Sequence, residues 1–140
     1  MNHKIFIVML LFVTISHAQD SIKGQVEAPK IVAKLMLGDE FKREDISIRF
    51  IDVENDSRCP KHVNCVRAGE AKVVYEVYEK ETLVKRDLIE ITPTTYLGKT
   101  LPLLYSFNNL KVEVYNLMPY PESGIKIEKE DYFLHLFIDN

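Results

Sequence analysis

The chain has 140 residues, of which 18 are lysine or arginine and 21 are aspartate or glutamate, giving a formal net charge of −3 at pH 7. A chain of this length suits a single domain with its own core. The mildly acidic balance, without a basic cluster, argues against nucleic acid or an anionic membrane surface as a partner.

Residues 1–18 have the three parts of a secretory signal peptide. Lys4 supplies the positive charge, an uncharged apolar run extends from Ile5 to Ile15, and Ser16-His17-Ala18 offers small residues at a cleavage site. The apolar run is too short to span a bilayer, which needs roughly 20 residues. We therefore expect cleavage after this site, no membrane span, and a protein that is periplasmic or secreted.

Period-two alternation of apolar and polar residues dominates the rest of the chain, and helical periodicity is hard to find. The candidate strands are 28–36, 46–53, 73–78, 83–91, 110–115 and 132–139. Strands at this spacing, separated by turn residues, predict an all-β fold: a single antiparallel β-sandwich or barrel-like domain over 28–140. The polar residues 19–27 predict a flexible lead-in to that domain.

The sequence also predicts one irregularity and several turns within this pattern. The alternation changes parity at the adjacent pair Phe50-Ile51, which indicates a β-bulge or a local twist near Phe50. Lys80-Glu81 is a short link of the kind that closes a hairpin. Other turn residues occur at Gly38-Asp39, Gly98, Asn108-Asn109 and Pro119–Gly124.

The only two cysteines, Cys59 and Cys65, lie in residues 56–71, which read DSRCPKHVNCVRAGEA. Because the chain carries an export signal, thiols at these positions are expected to oxidise to a disulfide. A closed loop of about seven residues contributes roughly 2 kcal/mol in the chain-entropy model. The predicted disulfide therefore shapes a local corner more than it holds the whole fold together.

A metal site is the alternative interpretation of the same residues. Cys59, His62 and Cys65 have the spacing C-x-x-H-x-x-C, and all three side chains can bind zinc or copper, with a fourth ligand from Asp56 or Glu70. The disulfide competes for the thiolates, and no second Cys/His pair exists in the chain. We favour the disulfide with no metal or other cofactor, and keep the metal site and reactive free thiols as alternatives.

An acidic stripe precedes the cysteines. Asp52, Glu54 and Asp56 are two residues apart, so on a regular strand they share a face and offer oxygen ligands to calcium. No glycine-containing loop with calcium-binding spacing accompanies them. We therefore favour a solvated strand face, with Asp56 or Glu70 paired with Arg58.

The segment D-S-R-C-P, followed by V-x-C-V-x-A-G-E-A, resembles a family of small exported bacterial proteins and lipoproteins of unknown function. These proteins carry a D-S-R-C-P-x-x-V-x-C-V-W-A-G-like segment between β-strands. The likeness covers about sixteen residues, and the tryptophan of the pattern is Arg67 in this chain. The resemblance implies a β fold with a structured cysteine loop, and it implies no activity.

Catalytic arrangements are poorly supported. Beyond the predicted signal, His62 and His135 are the only histidines, and the nucleophile motif G-x-S-x-G is absent. A hydrolase using paired acids such as Glu70, Glu76 and Glu113 is a weak alternative, because acid pairs are unavoidable in a chain this acidic.

We therefore expect a non-catalytic binding module that contacts an unknown protein or small ligand outside the cytoplasm. The candidate contact residues are Arg58, His62, Arg67 and Tyr120, in and near the cysteine segment. A protease inhibitor and a neutraliser of a secreted toxin are special cases that the sequence does not separate.

Overall fold

The computed structural model describes residues 31–98 and 100–139, so the predicted signal peptide and the lead-in at 19–27 lie outside the described residues. The described chain forms eight strands and two short 3₁₀ helices, Thr95–Leu97 and Lys129–Asp131. The strands are β1 Ile31–Met36, β2 Glu40–Arg43, β3 Ile46–Asp56, β4 Ala71–Glu79, β5 Thr82–Ile91, β6 Leu103–Phe107, β7 Leu110–Met118 and β8 Phe133–Asp139. Among these residues, no helix is long and apolar enough to cross a membrane.

The strands form two separate four-stranded antiparallel sheets, so the all-β prediction is confirmed and the domain is a β-sandwich. One sheet has the order β1-β8-β7-β6 and the other has the order β2-β3-β4-β5. Alternate residues of the central strands face each other between the sheets and form the core. The largest fully buried side chains are Tyr75, Phe50, Ile48, Ile91, Leu104, Leu117, Leu134 and Leu136.

Two strands were missed by the sequence analysis. β2 has only four residues, mostly charged, and β6 has five residues that do not alternate cleanly in exposure. Both lie at the edge of their sheet, where one side of the strand has no neighbouring strand and a mixed composition is tolerated. Period-two patterning is weakest for such short edge strands.

The bulge predicted at Phe50-Ile51 is confirmed, because the register of β3 against β4 shifts between Phe50 and Asp52. A second shift, which was not predicted, falls at Glu54. As a result, Asp52 pairs with Val74 on the outer side of the sheet, whereas Asp56 pairs with Ala71 on the core side. The hypothesis that Asp52, Glu54 and Asp56 share one acidic face is therefore wrong.

The two ends of the sandwich differ in character. The hairpin turns at 44–45, 80–81 and 108–109 lie at one end, where β1 begins and β8 finishes. The segment 57–70 and the long β7–β8 connection at 119–132 lie at the opposite end. The cysteines are thus held at the end of the sandwich remote from Ile31.

The predicted hairpin at Lys80-Glu81 is confirmed as the link between β4 and β5. Its two residues have φ angles of 47° and 67°. Positive φ at both central positions is the requirement of a type I′ turn, which favours Asn-Gly. Lys80 and Glu81 occupy this left-handed region at a conformational cost that asparagine and glycine avoid.

Replacing the pair by Lys80→Asn and Glu81→Gly should therefore raise the free energy of unfolding by about 1 kcal/mol. Urea denaturation of the purified protein measures this change. The double variant Lys80→Gln and Glu81→Gln is the control, since it removes the same charges without relieving the backbone. An increase in the control equal to that of the Asn-Gly variant would contradict the explanation.

Candidate functional site

A buried ion pair lies at the start of the cysteine segment. Arg58 is 4% exposed, and its guanidinium forms a two-point contact with Asp56, from Nε to Oδ1 at 2.8 Å and from Nη2 to Oδ2 at 2.6 Å. The pairing of these residues agrees with the sequence analysis. The placing of Arg58 on a contact surface is wrong, because its charge is needed by the carboxylate that β3 turns towards the core.

The same guanidinium also reaches the other sheet. Nη1 donates to the carbonyl oxygen of Leu117 at 2.6 Å, and Nη2 donates to that of Pro119 at 3.0 Å. The Tyr132 hydroxyl donates to Oδ2 of Asp56 at 3.0 Å. Burial, followed by the neighbouring Asp56 charge, raises the pKa of Tyr132 to about 12, so this donor stays protonated at neutral pH.

We call residues 57–70 the cysteine loop. Its two arms continue the β3–β4 ladder, because Ser57 N–H donates to the carbonyl of Glu70 and Cys59 N–H donates to that of Ala68, both at 2.8 Å. Cys59 and Cys65 are joined by the predicted disulfide, with their Cα atoms 5.9 Å apart. The loop is therefore fixed at its base by hydrogen bonds and across its middle by a covalent bond.

The disulfide also determines what the C-x-x-H-x-x-C residues can do in this structure. Both sulfurs are bonded to each other, so neither is a thiolate ligand. Within residues 31–98 and 100–139, no group of three or more His, Cys, Asp and Glu side chains is arranged to hold a metal ion. His62 is exposed and has a φ of 60°, in the turn where Val63 N–H donates to the carbonyl of Pro60.

Gly69 allows the two arms of the loop to approach closely. Its φ is +68°, and a Cβ atom at this position would lie 1.8 Å from the carbonyl oxygen of Ser57. The obstructing atom belongs to the backbone and cannot move aside as a flexible side chain can. Only glycine fits this position without displacing one arm.

The β7–β8 connection supports the cysteine loop from the side. Lys61 N–H donates to the carbonyl of Pro121 at 3.0 Å, and its Nζ lies 2.7 Å from Glu122 Oε1, which lowers the pKa of that carboxyl. The Tyr120 hydroxyl donates to the carbonyl of Cys59 at 2.9 Å. Tyr120, predicted as a contact residue, is thus half-buried with its hydroxyl used inside the molecule.

The outer part of the cysteine loop is exposed. His62 and Arg67 lie at the surface as predicted, together with Val63, which is 41% exposed, and Val66, which is fully exposed. Across the part of the chain that the structure describes, Arg67 has no carboxylate within ion-pair distance. We call these four residues the tip. The two valines were missed, since valine beside a strand is ordinarily buried.

The other residues considered for catalysis are not brought together. Glu76, bound by Arg86, and Glu113, bound by Lys111, lie on the outer faces of different sheets, and Glu70 lies in the cysteine loop. His135 lies on the outer side of β8, with Nδ1 2.9 Å from Oδ1 of Asn116. Its pKa is lowered mainly by burial and then by the nearby Lys34 charge.

Comparison with known proteins adds nothing to this geometry: no family model matches the chain, and neither curated proteins nor solved structures gave a match. The resemblance based on the D-S-R-C-P segment therefore stays a prediction.

Removing the guanidinium should strongly destabilise the protein. Arg58→Leu leaves Asp56 buried without its partner and should lower the free energy of unfolding by about 3–5 kcal/mol. Arg49→Leu is the matched control, because Arg49 pairs with Glu40 at a half-exposed position, where solvent screens the attraction and the pair contributes little to stability. Urea denaturation compares the two, and equal losses would contradict the role given to Arg58.

A second pair of variants tests the close approach at the base of the loop. Gly69→Ala should cost at least about 3 kcal/mol, from steric overlap with Ser57 in addition to the left-handed backbone. Gly38→Ala is the control, since Gly38 has a φ of +89° with open space around it and should cost only about 1–2 kcal/mol. Similar losses in thermal or urea unfolding would show that overlap with Ser57 is unimportant.

Proposed function

We propose that the protein is an exported, non-catalytic binding module whose contact surface is the tip of the cysteine loop. The observation that carries this proposal is the exposure of Val66, Val63 and Arg67 on a segment whose base is hydrogen-bonded and whose middle is cross-linked by the disulfide. Exposed apolar side chains next to an unpaired cation are typical of a surface that is covered in a complex.

The rigidity of the base supports the same proposal. Binding costs free energy whenever a loop must be ordered, and a loop that is already fixed avoids most of that cost. The hydrogen bonds of Ser57 and Cys59, the disulfide, and the contact of Lys61 with the β7–β8 connection all fix this loop before any partner arrives.

The partner is proposed to be a protein with a cleft, outside the cytoplasm. The tip is exposed at the end of the sandwich, so a concave surface would cover more of its side chains than a flat one. A disulfide is stable in the periplasm or in the medium, which agrees with a periplasmic or secreted location. No observation in the structure favours the metal-binding alternative over this proposal, because Cys59 and Cys65 are bonded to each other.

Site-specific photo-cross-linking in the exporting cell tests the proposal. A photoreactive residue at Val66 should give discrete cross-linked products, whereas the same residue at the half-exposed Leu83 of β5 should not. Excess unlabelled protein should suppress the products, and the variant Val66→Ser with Arg67→Ser should compete at least about tenfold less well. Products of equal intensity from both positions, or none from Val66, would contradict the tip as the contact surface.

A further inference from the structure

One short stretch of the cysteine loop is fixed at both ends to the same residue. The sulfur of Cys59 is bonded to Cys65, and the N–H of Cys59 donates to the carbonyl of Ala68 at 2.8 Å. The residues in between are Val66 and Arg67. The peptide bond that follows Arg67 therefore lies between two attachment points that converge on Cys59.

Cys59 is itself held firmly by the sandwich. Its carbonyl accepts the Tyr120 hydroxyl at 2.9 Å. The preceding residue, Arg58, is bound to Asp56 and to the carbonyl of Leu117. Displacement of Cys59 would break contacts in the interior, so the ends of the exposed stretch are fixed relative to each other.

The exposed stretch has the accessibility and charge of a ligand for a proteolytic cleft. The chain bends at Val66 and Arg67. Within the cysteine loop only His62 and Gly69 have positive φ, so Val66 and Arg67 keep the backbone region that ordinary L-residues adopt. The guanidinium of Arg67 is exposed and carries a charge that no carboxylate within the described residues neutralises. This positively charged side chain complements a pocket with a carboxylate at its base.

We infer that the cysteine loop binds serine proteases whose primary specificity pocket contains a carboxylate, with Arg67 entering that pocket and the loop acting as a substrate-like inhibitor. An aspartate at the base of this pocket is what makes trypsin specific for basic side chains. The inference rests on the proposed function, because it requires the tip to be the contact surface, and it adds the class of the partner.

The attachment to Cys59 explains why the loop inhibits instead of being consumed. Hydrolysis would use one water molecule, whose hydroxyl joins the carbonyl carbon of Arg67 and whose hydrogen joins the nitrogen of Ala68. The new carboxylate and amine would then stay close together, one end held by the disulfide and the other by the hydrogen bond to Cys59. Both cysteines precede Arg67, so the segment from Ala68 onward is held by that hydrogen bond and by the β3–β4 ladder. Products kept side by side in this way favour reformation of the bond and leave the protease occupied.

Inhibition of trypsin by the purified, oxidised protein tests the inference. The protein at micromolar concentration should inhibit cleavage of a small chromogenic substrate competitively. Arg67→Ala should weaken inhibition about 100-fold or more, whereas Lys42→Ala, at an exposed basic residue near the opposite end of the sandwich, should leave it unchanged. Arg67→Phe should lose inhibition of trypsin and gain inhibition of chymotrypsin, whose pocket is apolar.

A variant that lacks the disulfide provides a second test of the inference. The double variant Cys59→Ser and Cys65→Ser, with folding checked by circular dichroism, should be cleaved after Arg67 and released, giving two fragments, one ending at Arg67 and one beginning at Ala68, whose masses sum to that of the intact chain plus one water. Inhibition by this variant equal to that of the original protein would overturn the two-point attachment.

Three outcomes would overturn the inference as a whole: no inhibition of trypsin, equal inhibition by Arg67→Ala, or rapid cleavage and release of the oxidised protein. Cross-linking from Val66 is independent of these assays. If discrete cross-linked products persist while trypsin is not inhibited, the proposed function stands and the protease inference fails.

Discussion

The buried contact between Asp56 and Arg58 determines how the two sheets and the cysteine loop fit together. The second irregularity in β3 turns the carboxylate inwards, and the arginine follows it and reaches the carbonyls of Leu117, on the opposite sheet, and of Pro119, just after β7. A buried ion pair is weak evidence for high stability, because desolvation offsets much of the attraction. Its contribution here is geometric, since one planar group fixes the end of β3, the end of β7 and the start of the loop.

The strands that could be predicted from sequence are those with one face in the core. β3, β4, β7 and β8 alternate because every second side chain faces the other sheet, and the parity change at Phe50-Ile51 revealed the bulge. β2 and β6 were missed because a short edge strand buries too little to impose a pattern. The shift at Glu54 was missed because no change in apolar periodicity accompanies it.

The candidate site was predicted in part, and the limit has a physical cause. The disulfide was predicted from the cysteine spacing together with the predicted export signal, and the Asp56–Arg58 pairing from local spacing. The burial of Arg58 does not, because its carbonyl acceptors lie 59 and 61 residues further along the chain. The partial burial of Tyr120 was missed for the same reason, because the carbonyl of Cys59 that accepts its hydroxyl is 61 residues away in the chain. A single sequence does not show which loop will pack beside which.

The position of the tip has a practical consequence for how the molecule is handled. β1 begins and β8 finishes at the end of the sandwich opposite the cysteine loop, and β7, which runs from one end to the other, has nine residues. At about 3.3 Å per residue, this corresponds to roughly 30 Å. If the protein is attached to a sensor surface or bead beside Ile31 or Asp139, the cysteine loop would therefore lie at the end of the domain remote from the support, where it is accessible to large molecules in solution.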